Sequence, residues 1–143
     1  IFFNDRYFGY DDATYTLLRI LELLKEEGMD FDKILLTLPK LYSTQEIKIP
    51  TTEDEKFPLI LALKNQLMLY QKNKPTDFPQ IIDLITIDGV RVIFDKGWGL
   101  IRASNTTPNL VARFEAKTNE AKELYQEKLL ELLQSIQGQT CKH

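Results

Sequence analysis

The sequence predicts an α+β fold: a curved antiparallel sheet with two helices on one face, preceded by the helical tail of another domain. Three observations predict it. Residues 81–116 alternate apolar and polar positions, and Asp88-Gly89 and Lys96-Gly97 interrupt that alternation as hairpin signals. Segments with helical periodicity lie on both sides of this block, one after Thr52 and one after Thr118. A further alternating stretch precedes the first of them, so the order is strand, helix, several strands, helix. Helices with one apolar stripe each, flanking a run of antiparallel strands, bury that stripe against one sheet face.

The elements follow in order. Ile1-Phe2-Phe3 looks like the inside or the exit of a strand and lacks an initiator methionine, which fits a piece of a longer chain. Residues 4–10 form a polar, aromatic loop. Asp11 and Asp12 supply N-cap candidates, and Ala13, Leu17, Ile20, Leu21 and Leu24 follow at helical spacing until Gly28 stops the helix. A short helix over residues 30–38 carries Ile34, Leu35 and Leu38, and Pro39 closes it. Residues 1–40 therefore read as the tail of a preceding domain, and residues 41–143 as a second one.

In the second part, residues 45–49 suit a strand ended by Pro50. Thr52-Glu53-Asp54-Glu55 is a capping box, and Phe57, Ile60, Leu61, Leu67 and Met68 are the expected buried face of a helix reaching about Gln71. After a loop over residues 72–79, strands are expected over 81–87, 90–94, 98–103 and 110–116. Val90, Val92 and Phe94 share one face, as do Leu110, Ala112, Phe114 and Ala116. Thr118 caps a last helix with apolar positions Ala121, Leu124, Tyr125, Leu129, Leu132, Leu133 and Ile136.

Composition limits the function. A length of 143 residues gives one domain, or a small domain with part of another. With 18 basic against 21 acidic residues, the net charge of −3 argues against a nucleic-acid partner, which needs a basic face. The single cysteine, Cys141, allows no disulfide within a monomer and suits a reducing cytoplasm. The single histidine, His143, leaves no set of Cys and His ligands for structural zinc. No apolar run reaches membrane-spanning length and no signal-peptide pattern opens the chain, so no membrane association and a cytoplasmic location are expected.

Gly97 to Pro108 is the segment with chemical content. Ser104 to Pro108 falls between two strands and should be an exposed bend. Arg102 offers a planar fork of donors matched to phosphate oxygens, and Ser104 and Thr106 offer hydroxyls. Asn105 tolerates the left-handed conformation in which successive N–H groups form an anion nest. Thr107 is a marginal addition, and Pro108 helps end the loop. The plainer reading stays open: these residue types are also what turns contain, with Arg102 a solvated charge at a strand end. Asn105-Thr106-Thr107 matches a glycosylation sequon, without a secretory signature to give it meaning. Trp98, between two glycines, reads as a packing anchor, and Arg91 and Arg113 as solvated or ion-paired residues on the sheet's other face. Asp11-Asp12 reads as helix capping.

Asp88-Gly89-Val90-Arg91-Val92, Gly97-Trp98-Gly99-Leu100, Arg102-Ala103-Ser104-Asn105-Thr106-Thr107-Pro108 and Arg113-Phe114-Glu115-Ala116 together resemble the fourth domain of the phosphomannomutase/phosphoglucomutase family. Phe8-Gly9-Tyr10-Asp11-Asp12 is similar to the segment after that family's sugar-recognition loop, and residues 41–47 to its link into the fourth domain. The resemblance implies a TATA-box-binding-protein-like fold for residues 41–143 and, for residues 1–40, the tail of an α/β third domain. It implies that Arg102, Ser104, Asn105 and Thr106 bind the substrate phosphate that is not being transferred. Asn105 at the loop centre favours the phosphomannomutase/phosphoglucomutase branch.

The resemblance further implies an enzyme that interconverts hexose 1-phosphate and hexose 6-phosphate through a bisphosphate. A phosphoserine on the first domain and Mg2+ held by an aspartate-rich loop on the second would perform the transfer. None of those loops is found in these 143 residues, so no catalytic or metal-binding residue is expected here and this piece alone should be inactive. Its expected partners are a hexose phosphate and the other domains of its own full-length chain. Two other classes compete: a stand-alone phosphosugar-binding regulatory module, which would expose the opening apolar residues, and a nucleic-acid binder like the TATA-box-binding proteins, which the acidic balance disfavours.

Overall fold

Turn chemistry and strand alternation set the architecture, seen in a computed structural model that describes residues 2–28 and 30–140. Ile1, Cys141 and His143, each given weight above, lie outside the described residues. The chain divides into two compact units, Ile1–Pro39 and Lys40–His143. Among the described residues no helix is long and apolar enough to cross a membrane.

The first unit contains α1 (Ala13–Glu27) and α2 (Phe31–Thr37). The Asp12 carboxylate caps α1 by accepting from the Tyr15 N–H at 2.9 Å, and Gly28 ends the helix at φ 60°. The Tyr7 hydroxyl donates to the same carboxylate at 2.8 Å, and its ring stacks on Tyr15 with centroids 4.1 Å apart. These two hydrogen bonds, the Tyr15 amide first, hold the Asp12 pKa below its ordinary value. Asp12 is thus a helix cap, as expected. Neither helix buries a residue within the unit, and Leu17, Leu18 and Leu21 are exposed. Phe2 and Phe3 lie in no strand, so of the two expectations the inside of a strand does not hold. Phe3 instead packs edge-on against Tyr15, with centroids 5.3 Å apart.

The second unit runs β1 (Tyr42–Ser43), β2 (Ile47–Pro50), α3 (Glu53–Asn73), β3 (Asp83–Ile85), β4 (Val90–Ile93), β5 (Gly97–Ala103), β6 (Asn109–Ala116) and α4 (Asn119–Thr140). All pairings are antiparallel, in the order β1-β6-β5-β4-β3, with β2 also on β6. β3 to β6 form a meander. The β3–β4 turn needs Gly89: its φ is 76°, and a Cβ there would sit 2.4 Å from the Ile101 carbonyl oxygen. Phe94 N–H donates to Gly97 O at 2.8 Å and closes the next hairpin over Asp95 and Lys96.

β1 was not anticipated. Ser43 pairs with Glu115 and Ile47 with Ala112, so three residues (44–46) oppose two, which is a β-bulge in one edge strand. Thr44 holds it, donating its N–H to Phe114 O at 2.9 Å and accepting from Phe114 N on its hydroxyl at 3.1 Å. β2 accordingly starts later than predicted, and β3 is shorter than the predicted 81–87.

β2 and β3 occupy opposite edges of the sheet, so α3 must cross one face to connect them, and α4 returns over the same face. Thr52 caps α3 by accepting from Glu55 N at 3.2 Å, and Thr118 caps α4 by accepting from Ala121 N at 3.2 Å. The α4 stripe is as read, with Tyr125, Leu129 and Leu133 buried, except that Leu124 is exposed. On the sheet Val90, Val92, Phe94, Leu110, Ala112, Phe114 and Ala116 are all buried beneath the helices, as their alternation predicts.

The face expected for α3 needs correction. Leu59, Leu63 and Leu67 are buried and Ile60 packs against them, whereas Phe57, Leu61 and Met68 are exposed. α3 is apolar around much of its circumference, so periodicity alone defines two stripes. Only the i, i+4, i+8 row through Leu59 meets the sheet.

Candidate anion-binding bend

The sheet face opposite the helices positions the bend between β5 and β6. Along β5, Gly99, Ile101 and Ala103 are buried in the core, while Trp98, Leu100 and Arg102 point to the open face. The β5–β6 ladder ends at the Ala103–Leu110 pair, leaving Ser104 to Pro108 as the connection to β6, which begins at Asn109. Ser104 N–H donates to Asn109 O at 2.9 Å and Asn109 N–H to Thr107 O at 2.8 Å. Thr51 N–H ties the far side by donating to Pro108 O at 3.1 Å. Asn105, Thr106, Thr107 and Pro108 are exposed.

Within this frame the four predicted binding residues come together at one end of the sheet. The Ser104 hydroxyl oxygen accepts from Thr107 Oγ1 at 2.9 Å and, at 3.4 Å, from Thr106 N–H. With both lone pairs engaged, its own proton is what it retains to donate. The Arg102 guanidinium is 34% exposed and has one acidic neighbour, Asp88, which is 66% exposed with Nη1 3.7 Å from Oδ2. A solvent-exposed pair at that separation contributes about 0–1 kcal/mol and leaves the guanidinium available to a stronger anion. One detail differs from expectation. Among the described residues the only non-glycine with positive φ is Lys74, so Asn105 is not left-handed. The alternating-handed nest is therefore not formed, because the Ser104 side chain and the Asn109 carbonyl close the bend instead.

Sequence reasoning missed two residues here. Lys56, one turn into α3, is only 3% exposed, and its Nζ donates to the Ser104 carbonyl oxygen at 2.8 Å. The same nitrogen lies 2.6 Å from Glu53 Oε2 and 5.3 Å from the Phe57 ring centroid. Its signal was present: Lys56 stands three residues before Leu59, on the helix face that meets the sheet. Asp88 was read only as a turn residue.

Elsewhere on the open face, Arg91 is half-buried, and among the described residues it makes no ion pair, contrary to one of the expectations. Its guanidinium carbon sits 4.2 Å from the Trp98 ring centroid, and Trp98 Nε1 donates to Glu115 Oε1 at 3.2 Å. Trp98 thus packs on this face and not in the core. Arg113 is exposed on the same face. For magnesium the donor set does not fit: among the described residues no three His, Cys, Asp or Glu side chains cluster to hold a metal ion. The donors gathered at the bend, a guanidinium, hydroxyls and exposed main chain, are of the kinds that suit an anion.

Comparison with known proteins agrees with the fold. Residues 46–132 match the family model described as phosphoglucomutase/phosphomannomutase, C-terminal domain. A phosphomannomutase/phosphoglucomutase of Pseudomonas aeruginosa is 45% identical over 120 residues, covering 84% of this chain and 24% of the relative. A phosphoglucomutase of Neisseria gonorrhoeae is 37% identical over 135 residues, covering 94% of this chain and 27% of the relative. A crystal structure of a phosphoglucomutase/phosphomannomutase family protein from Burkholderia thailandensis superposes with a TM-score of 0.75 at 34% identity, over 95% of this chain and 26% of that one. The chain spans about a quarter of the length of the curated relatives it matches.

Proposed function

Because the chain belongs to the phosphoglucomutase/phosphomannomutase family and carries its C-terminal domain, we propose that it is the phosphate-holding part of a phosphohexomutase. The full-length protein would interconvert hexose 1-phosphate and hexose 6-phosphate through a hexose bisphosphate. Residues 1–40 would be the tail of that protein's third domain, a reading supported by the exposed leucines of α1. The serine that carries the transferred phosphoryl group and the acidic residues that hold Mg2+ would lie on the other domains, as would the sugar-reading loop. A cytoplasmic location goes with such a role.

Arg102, Ser104, Asn105 and Thr106 would grip the phosphate that is not in transfer. Holding the remote group supplies binding energy that orients the reacting end and favours closure of the site. A bend that recognises a phosphate and little of the sugar serves the bisphosphate in either orientation. The observation that carries this reading is the solvent-facing bend with the Arg102 guanidinium half-exposed beside it. One charge-assisted hydrogen bond contributes about 1.5–3 kcal/mol, so Arg102→Ala should weaken binding by about 10- to 150-fold.

Calorimetric titration of this chain with glucose 1-phosphate, glucose 6-phosphate and glucose tests it. Both phosphates should bind, glucose should not, and Arg102→Ala should weaken binding of both phosphates by that factor. Binding of glucose as tight as that of its phosphates would refute the proposal. In the full-length enzyme the same substitution should lower kcat/KM.

A further inference from the structure

We infer that Lys56 is a positioning residue for the anion site: it fixes the Ser104 carbonyl on the helix side of the bend and places its ammonium, paired with Glu53, behind it. The inference rests on the phosphate-holding role of the bend proposed above. A lysine 3% exposed in a row of buried leucines is an expensive choice for stability alone, since taking an ammonium out of water is costly even when it is paired. An apolar side chain of similar length would fill that position at least as well.

What the lysine adds is directional. Its Nζ meets the Ser104 carbonyl oxygen at 2.8 Å across a sequence separation of 48 residues, joining the first turn of α3 to the bend. Arg102 emerges on the opposite, open face, where the ligand would approach. A carbonyl turned towards that side would present negative charge to an incoming dianion. Held by Lys56, it points the other way. The second partner of the ammonium, Glu53 at 2.6 Å, is 61% exposed, so it neutralises the charge from the solvent side only in part. α3 is therefore a strut that fixes both the shape and the sign of the bend.

Calorimetric titration with inorganic phosphate, paired with thermal melts of the unliganded protein, tests this for the wild-type chain, Lys56→Met and Glu53→Gln. Lys56→Met should weaken phosphate binding by about tenfold or more while its melting temperature equals or exceeds that of the wild type. Glu53→Gln, a change at an exposed carboxylate, should tighten binding by about twofold, because it removes the negative charge that partly neutralises the Lys56 ammonium. If the wild type binds phosphate and Lys56→Met binds within twofold of it, the inference fails and the reading of the bend stands. A lower melting temperature with unchanged affinity would make Lys56 a stability residue and overturn the inference equally. Should Lys56→Met not fold, Glu53→Gln decides: unchanged or weaker binding overturns the inference. A wild-type chain that ignores phosphate overturns the reading of the bend itself.

Discussion

Asp88 is placed to compete with a bound phosphate for Arg102, and replacing it isolates that competition. Asn keeps the size of the side chain and is equally suited to the position before Gly89, so the β3–β4 turn should survive Asp88→Asn. The pair lies 3.7 Å apart with its side chains 34% and 66% exposed. Two unit charges at about 4 Å interact by about 1 kcal/mol in water, and measured exposed pairs fall between about 0 and 1 kcal/mol. Stability should therefore drop by no more than about 1 kcal/mol in urea unfolding. Phosphate affinity should rise by up to about fivefold, the equivalent of the same 1 kcal/mol. The gain should shrink between about 0.05 M and 0.5 M salt, because screening weakens both the competing pair and the ligand's attraction. Calorimetry at the two ionic strengths reads both effects. Weaker phosphate binding by Asp88→Asn would refute the reasoning, since Asp88 would then belong to the site and not compete with it.

Other parts of the structure make independent predictions. A Cβ at Gly97 would lie 2.1 Å from the Glu115 carbonyl oxygen, so Gly97→Ala must push β5 and β6 apart and should destabilise by about 1–3 kcal/mol or more in urea unfolding. Leu63 is fully buried and Leu61 exposed, so Leu63→Ala should cost about 2–5 kcal/mol. Leu61→Ala should stay within about 0.5 kcal/mol, and equal losses would restore the helix face read from the sequence. Burial, and then its hydrogen bond to Asp95 at 2.6 Å, push the Tyr125 pKa up to about 12. The unfolded chain loses that proton near pH 10 while the folded one keeps it, so stability should fall as pH rises from about 10 to 12. Tyr125→Phe should flatten that decline in denaturant titrations.

What was legible in the sequence is what short-range chemistry decides. Asp12, Thr52 and Thr118 act as caps because a side-chain oxygen needs only the amide three residues on. Gly28 and Gly89 end or turn the chain because their φ angles are those of glycine. The buried faces of β4 and β6 were readable because neighbouring positions on those strands differ sharply in polarity. α3 offered no such contrast, and its face was settled only by the sheet beneath it. β1 was invisible for a related reason: two residues show no alternation, and their strand character comes from pairing with β6.

At the bend, Arg102, Ser104, Asn105 and Thr106 could be proposed together because they lie within five residues of one another in the sequence. The local geometry of Asn105 was misjudged because bonds from Ser104 and Asn109 closed the turn first. Lys56 was missed because its partner is 48 residues away, and no rule of local spacing links a helix lysine to a distant carbonyl.

The most direct measurement is a titration of the isotopically labelled chain with inorganic phosphate, followed by amide and Arg102 Nε chemical shifts. The account predicts saturable changes at residues 103–107 and at the Arg102 side chain, with the Arg91–Trp98 pair undisturbed. Shifts that fail to saturate, or that gather around Arg91 and Arg113 while the bend stays silent, would contradict it.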